Sequence, residues 1–325
     1  MQQPQTKTHN DGIWISDGRE KEIVKQFSQQ IISSGFEPIV QCSNNFGYPY
    51  VYQRQHQRLN CRVVDSVFFT DSETWTNTNS VVVTDNYPIQ PMAGQLLTVL
   101  PEFWSIWHFE PKYIDRPATV GFNCFMNRPR GDRSVTFYEL IKRDLLKQGF
   151  VSYNCTEAQY QQQFEQAELQ RYLDQHIAGQ DLIPYNTVES HGTVEQCIID
   201  SNISLVLETY TSDSHIVFSE KIFRALQLPR PWLLYCSPGS IALLKGYGFD
   251  VLEDIVDIAY DEIKEHGARL LSILDQLETF VDRQYTDKEY QRFVQAANHN
   301  QQLLLKFESR WPAKLASVLE TIKQL

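Results

Sequence analysis

At 325 residues the chain is long enough for two domains of about 150 residues each, and its 42% hydrophobic content is that of an ordinary globular protein. Its 29 basic and 40 acidic side chains leave a net charge of −11, which argues against a nucleic-acid-coating surface but leaves room for a local basic pocket. No apolar run approaches the roughly 18–20 residues that cross a bilayer. The opening MQQPQTKTHNDG has no apolar stretch behind a basic one, and the six cysteines form no C-x-x-C pair. The expectation is a cytoplasmic protein with reduced thiols, no metal and no transmembrane segment.

Residues 1–12 are polar and read as a frayed end. Strands are then expected at IWIS (13–16), PIVQC (38–42), VVDSVFF (63–69), SVVVTD (80–85) and FWSIWHF (103–109) from their β-branched and aromatic content. A helix fits 19–32, where Ile23, Phe27, Ile31 and Ile32 repeat at helical spacing. EPKYIDRPA (110–118), with two prolines, reads as a domain connection.

From 119 the rhythm changes. TVGFNCFM (119–126) is a strand, NRPRGDR a loop, 133–148 a helix with Phe137, Leu140, Ile141 and Leu145 on one face, and FVSYN (150–154) a strand. A glutamine-rich helix is expected over 158–175, a short helix at 193–201, a strand at 203–208, a helix at 218–228, a strand at 231–236, and a loop with a helix at 237–248. The chain reads as helical from 259, with a break at Trp311-Pro312. Strands alternating with helices predict an α/β fold with parallel sheets. The domains expected are 1–117, 118–258 and a helical extension over 259–325.

In open parallel sheets ligands bind beyond the carboxyl ends of the strands, where helix starts attract anions. Three strand-to-helix joints qualify. The first carries Arg128, Arg130 and Arg133, guanidinium groups matched to phosphate oxygens, although a solvated loop with Asp132 as a helix cap is the plain alternative. In the second, Glu208 ends a strand, Ser219 caps a helix, and Glu220 and Lys221 occupy its first turn. A lysine there opposes the helix dipole and invites an anion, while Glu220 has a plain use as an i,i+4 partner of Arg224. The third is Ser237-Pro238-Gly239-Ser240, where Gly239 and Ser240 permit close backbone approach or simply form a cap.

His108 and Glu110 form a candidate acid/base pair, with Asp85 and Asp71 at other first-half strand ends; a histidine among Trp104, Trp107 and Phe109 is also an ordinary core group. No G-x-G-x-x-G, Walker or G-x-S-x-G motif occurs, which leaves dinucleotide, P-loop and hydrolase chemistry unsupported.

The order Leu205-Val206-Leu207-Glu208, then Phe218-Ser219-Glu220-Lys221-Ile222-Phe223-Arg224-Ala225-Leu226, then Pro231-Trp232-Leu233-Leu234 resembles the donor-binding segment of the α1,3-fucosyltransferase-like glycosyltransferases. Related uncharacterised glycosyltransferase-like proteins share a Glu-Lys helix and a Pro-Gly turn. The resemblance covers roughly 119–140 and 203–252. It implies a GT-B fold of two Rossmann-like domains, binding a nucleotide-sugar, with a GDP-sugar favoured, on the C-terminal domain. Lys221 and one or more of Arg128, Arg130 and Arg133 would hold the diphosphate, Glu220 would accept from the ribose, and Glu208 would line the pocket. The base would come from the N-terminal half. Thr209 stands where the family usually has Asn, and Gln227-Leu228-Pro229-Arg230 stands where it usually has Gly before Pro. The expected partners are a nucleotide-sugar and a glycan or other hydroxyl acceptor, with no nucleic acid and no cofactor. The alternatives are a nucleotide- or phosphosugar-binding protein of the same fold without turnover, and a scaffold acting through its helical tail.

Overall fold

The computed structural model describes residues 38–40, 63–65, 81–84, 87–88, 96–99, 101–111, 117–126, 131–153, 185–188, 192–209, 211 and 215–323. The expected strand at 13–16 and the helices at 19–32 and 158–175 lie outside them. The chain divides into two compact units, Met1–Ile106 with Leu304–Leu325, and Trp107–Leu303.

In the first unit, β1 (Pro38–Val40), β2 (Val63–Asp65), β3 (Val81–Thr84) and β5 (Leu96–Val99) form a parallel sheet in the order β1-β2-β3-β5. A two-residue strand, β4 (Tyr87–Pro88), lies between β3 and β5 in sequence. The strand expected at 103–109 is instead a 3-10 helix, Pro101–Trp107. Pro101 presets a helical φ at its first position and Glu102 favours its amino end. Aromatics at 104 and 107 repeat every three residues, the period of this tighter helix. Trp104 is buried, edge-on to Phe307.

The second unit is an α/β domain. Its elements are β6 (Val120–Met126), α1 (Gly131–Lys142), β7 (Gly149–Tyr153), β8 (Tyr185–Asn186), α2 (Val194–Ile199), β9 (Ser201–Leu207), β10 (His215–Ile216), α3 (Glu220–Leu226), β11 (Trp232–Tyr235), α4 (Ser240–Gly246), α5 (His266–Val281) and the first part of α6 (Asp287–Lys323), whose residues from Leu304 onward belong to the first unit. The sheet order is β11-β9-β6-β7-β8. All neighbours are parallel except β8, which runs antiparallel to β7. Renumbered within the domain, this is the 3-2-1-4-5 order of a Rossmann-like sheet, with its topological switch between β6 and β9. Every residue of β7, β9 and β11 is buried, as parallel strands covered on both sides require.

Helices α2 and α3 pack on β9, α2 reaching β6 and α3 reaching β11. Helix α1 stacks Phe137 on the ring of Tyr153, at 4.3 Å. Helix α5 lies across β6, β9 and β11 and buries Leu270, Ile273, Leu274 and Leu277 completely. The expected break at Trp311-Pro312 does not occur: α6 runs through Pro312. The missing N–H and the ring clash act on one turn only, and that turn is anchored by buried Phe307 and Trp311.

Arg292 of α6 makes two bidentate forks. Its guanidinium donates to both Asp250 oxygens at 2.7 and 2.8 Å and to both Asp254 oxygens at 2.8 and 2.9 Å. Burial pushes the Asp250 carboxyl up, but the Arg292 fork and the Leu252 amide together hold it below the usual carboxylate range. A carboxyl lowered by folding contributes stability that is present above its unfolded pKa of about 3.9 and lost as pH falls through the folded value. The urea midpoint should therefore drop on acidification below about pH 4. Asp250→Asn should remove that part of the drop; identical acid limbs for both proteins would deny the clamp its role.

Candidate functional site

Glu208, whose side chain is wholly buried, follows the last residue of β9 at the switch point. Its carboxylate accepts from the Ser219 backbone N–H at 3.0 Å and the Ser219 hydroxyl at 2.5 Å, and pairs with Lys221 Nζ at 3.4 Å. Ser219 caps α3 through the Lys221 N–H, and Lys221 Nζ also donates to Thr209 Oγ1 at 3.1 Å. Burial lowers the Lys221 pKa; Glu208 opposes the shift, and the charge of nearby Arg133 adds to it. Lys221 thus has a structural partner in Glu208, which accounts for its place in the first turn without a bound anion.

Arg133 is buried in the first turn of α1, close enough to Lys221 for their charges to interact. Two predicted cations from joints about 90 residues apart thus stand in the first turns of helices that follow the neighbouring strands β6 and β9. Arg128, Arg130, Asp71 and Asp85 lie outside the described residues. Arg224 pairs with Glu195 of α2 at 2.9 Å rather than with Glu220.

At the third joint Gly239 takes a left-handed conformation, φ +82°, which suits glycine. Ser240 Oγ donates to Ser237 O. The second and third N–H groups of α4, on Ile241 and Ala242, donate to the buried Asp261 carboxylate at 3.0 and 3.1 Å. Gly239 and Ser240 thus belong to a closed helix cap whose anion is supplied by the chain itself.

His108 and Glu110 follow the 3-10 helix rather than ending a strand. Gln227, at the far end of α3, accepts from the Phe109 N–H at 3.1 Å and donates to Trp107 O at 3.0 Å. Phe109 packs on Ile198, Ile199 and Leu228. Those residues end α2 and α3, ahead of the strands that follow them. His108 and Glu110 therefore lie at the amino-terminal edge of the sheet, with the length of β9, about 20 Å, between that edge and Glu208. The structure does not bring them to Lys221.

A cavity of about 300 Å³ opens on the sheet face under α2 and α3. Its floor includes Asn123, Phe125, Ser152, Asn186, Ser204 and Val206, which the strand registers put on one face. Its walls include Val194 and Ile198 of α2, and Glu220, Lys221 and Arg224 of α3. Sequence reasoning passed over the polar floor. The available signal was a lone Asn or Ser inside apolar runs, VGFNCFM, GFVSY and SNISLVL.

Burial pushes the Cys197 thiol up to about 11 and that of Cys236 to about 12, so these are core groups rather than nucleophiles. Among the described residues no cluster of three His, Cys, Asp or Glu side chains could hold a metal, and no helix is long and apolar enough to cross a membrane. No family model matches the chain, and no curated protein matches it.

Proposed function

We propose that the chain is a nucleotide-sugar-dependent glycosyltransferase of the GT-B type, with the donor on the second unit, a GDP-sugar favoured, and a hydroxyl acceptor. The observation that carries this reading is the cavity lined by Glu220 and Lys221, the two residues of the Glu-Lys helix that the resemblance assigns to the donor. The Rossmann-like strand order supports it, as does the place of Arg133 and Lys221 in the first turns of helices that follow the neighbouring strands β6 and β9. The reading takes β1, β2, β3 and β5 as the acceptor-side sheet.

In the reaction, the bond from the sugar's anomeric carbon to the diphosphate breaks as the acceptor oxygen bonds to that carbon, and the acceptor's proton passes to a base. Lys221 and Arg133 would stabilise the leaving diphosphate. Glu220 would accept from a ribose hydroxyl. No base is assigned to His108 or Glu110, given their place beyond α3. That placement favours a second reading, a protein of the same fold that binds the nucleotide without turnover.

A thermal-shift screen against GDP, UDP, CMP and ADP tests the binding step. At 100 times its dissociation constant the right nucleotide should stabilise the chain by about 2.7 kcal/mol. No shift with any of the four at millimolar concentration would remove both readings. A shift without diphosphate release from any GDP- or UDP-sugar would favour the second.

A further inference from the structure

The floor of the cavity is more specific than its rim. Asn123, Ser152 and Ser204 are only 2%, 8% and 1% exposed, yet they stand on strands where a packed helix asks for apolar side chains. Buried polar groups are almost always hydrogen-bonded. The neighbouring Ser201 and Asn202 obey this: Ser201 Oγ donates to Cys197 O at 2.6 Å, and Asn202 Nδ2 to Val281 O at 2.8 Å.

Four floor residues keep unused capacity. Asn123 Nδ2 donates to Ser204 Oγ at 2.9 Å, with the Ile203 carbonyl at 3.5 Å. A carbonyl only accepts, so the amide turns its NH₂ there and leaves Oδ1 for the cavity. Ser204 accepts from Asn123, and its own proton meets no acceptor among the described residues. The Ser152 hydroxyl likewise meets no partner among them. At the edge, Asn186 Oδ1 is taken by the Val188 N–H, which leaves its NH₂. The cavity thus presents an acceptor beside hydroxyl and amide donors, all uncharged, between the apolar walls of Val194, Ile198 and Val206.

We propose that this cavity takes an uncharged nitrogen heterocycle, a nucleobase or a close relative, whose edge carries an N–H beside a hydrogen-bond acceptor. The N–H reaches Asn123 Oδ1, the acceptor receives from Ser152 or Asn186, and the flat faces lie against the aliphatic walls. The floor favours an uncharged ring edge, because no floor residue is ionisable and a buried unpaired charge is costly. The inference rests on the reading above only in taking the ring as the base of a nucleotide whose phosphates run toward Lys221.

The test uses the full chain and isothermal titration with uridine, cytidine, guanosine and adenosine, and separately with inorganic pyrophosphate. At least one nucleoside should bind the wild type. Ser152→Leu, which fills the cavity, should weaken that binding by about tenfold or more, and Ser152→Ala by about 3–10-fold, the worth of one hydrogen bond. Neither should change pyrophosphate binding. Should Ser152→Leu fail to fold, Ser152→Ala and Asn186→Ala carry the measurement. A nucleoside affinity unchanged in these variants, or no nucleoside binding by the wild type, overturns the proposal. Pyrophosphate binding without nucleoside binding would overturn the proposal while sparing the phosphate half of the transferase reading. Nucleoside binding that depends on Ser152, with no gain from a diphosphate, would keep the cavity and remove the transferase.

Discussion

Lys221→Ala should lower the stability of the ligand-free protein by about 2–4 kcal/mol, because removing one partner of a buried pair strands the other. The partner is Glu208, fully buried at the end of β9, which would keep its two Ser219 contacts but lose the ammonium. Lys221 itself is 21% exposed, so water would replace part of the loss and the lower end of the range is expected. The double variant Glu208→Gln/Lys221→Met should recover most of the stability, since an amide still accepts from Ser219 and no charge remains buried. It should not recover binding of a nucleoside diphosphate, expected to fall by about 10–100-fold in both variants. Arg224→Ala breaks only a partly exposed pair with Glu195 and should cost about 0–1 kcal/mol. Urea denaturation with titration of the diphosphate decides the matter. A wild-type urea midpoint in Lys221→Ala would show that the pair is not structural, and wild-type affinity would show that Lys221 does not meet the phosphates.

Arg269→Met should cost about 3–5 kcal/mol, the range of a broken buried polar network. Only 1% of Arg269 is exposed. Its guanidinium donates to the carbonyls of Ile263 at 2.6 Å, Lys264 at 3.3 Å and Thr211 at 3.4 Å, contacts His266 Nδ1 at 3.0 Å, and lies over the Tyr235 ring at 5.4 Å. One side chain thus ties two segments beyond the carboxyl ends of β9 and β11. Methionine keeps the aliphatic stem and removes every donor. Arg269→Lys should recover only part of the loss, because an ammonium cannot match a planar fork that serves three carbonyls. A urea midpoint within experimental error of the wild type would show that these carbonyls are satisfied otherwise.

The strands and helices of the second unit were legible where one signal dominated. The apolar run of β9, the Trp232–Tyr235 run and the 3.6-residue spacing of Ile222, Phe223 and Leu226 are unambiguous. Strand β5 was missed although Gly94 and Pro101 bracket it, because at four residues LLTV is too short for its periodicity to tell a strand from a helical turn. The 3-10 helix at 101–107 was misread because aromatic content outweighed the three-residue repeat. At the site, the spacing of Ile222, Phe223 and Leu226 leaves Lys221 off the apolar stripe but does not show what it touches. Glu208 lies 13 residues earlier, across a loop, and no local pattern encodes that distance. Asp261 supplying the anion for α4 from 20 residues downstream is the same kind of contact.

Helix α5 also bears on how the chain is made. Strand β6 is complete at residue 126, but the helix that lies across β6, β9 and β11 is not finished until residue 281. At synthesis rates of about 5–20 residues per second, roughly 10–30 s pass between the two on a ribosome. Through that interval the strands lack the cover of Leu270, Ile273, Leu274 and Leu277. A nascent chain stalled or truncated before residue 266 would present that apolar surface to whatever is nearby, which makes the last fifth of the sequence a condition for covering the middle.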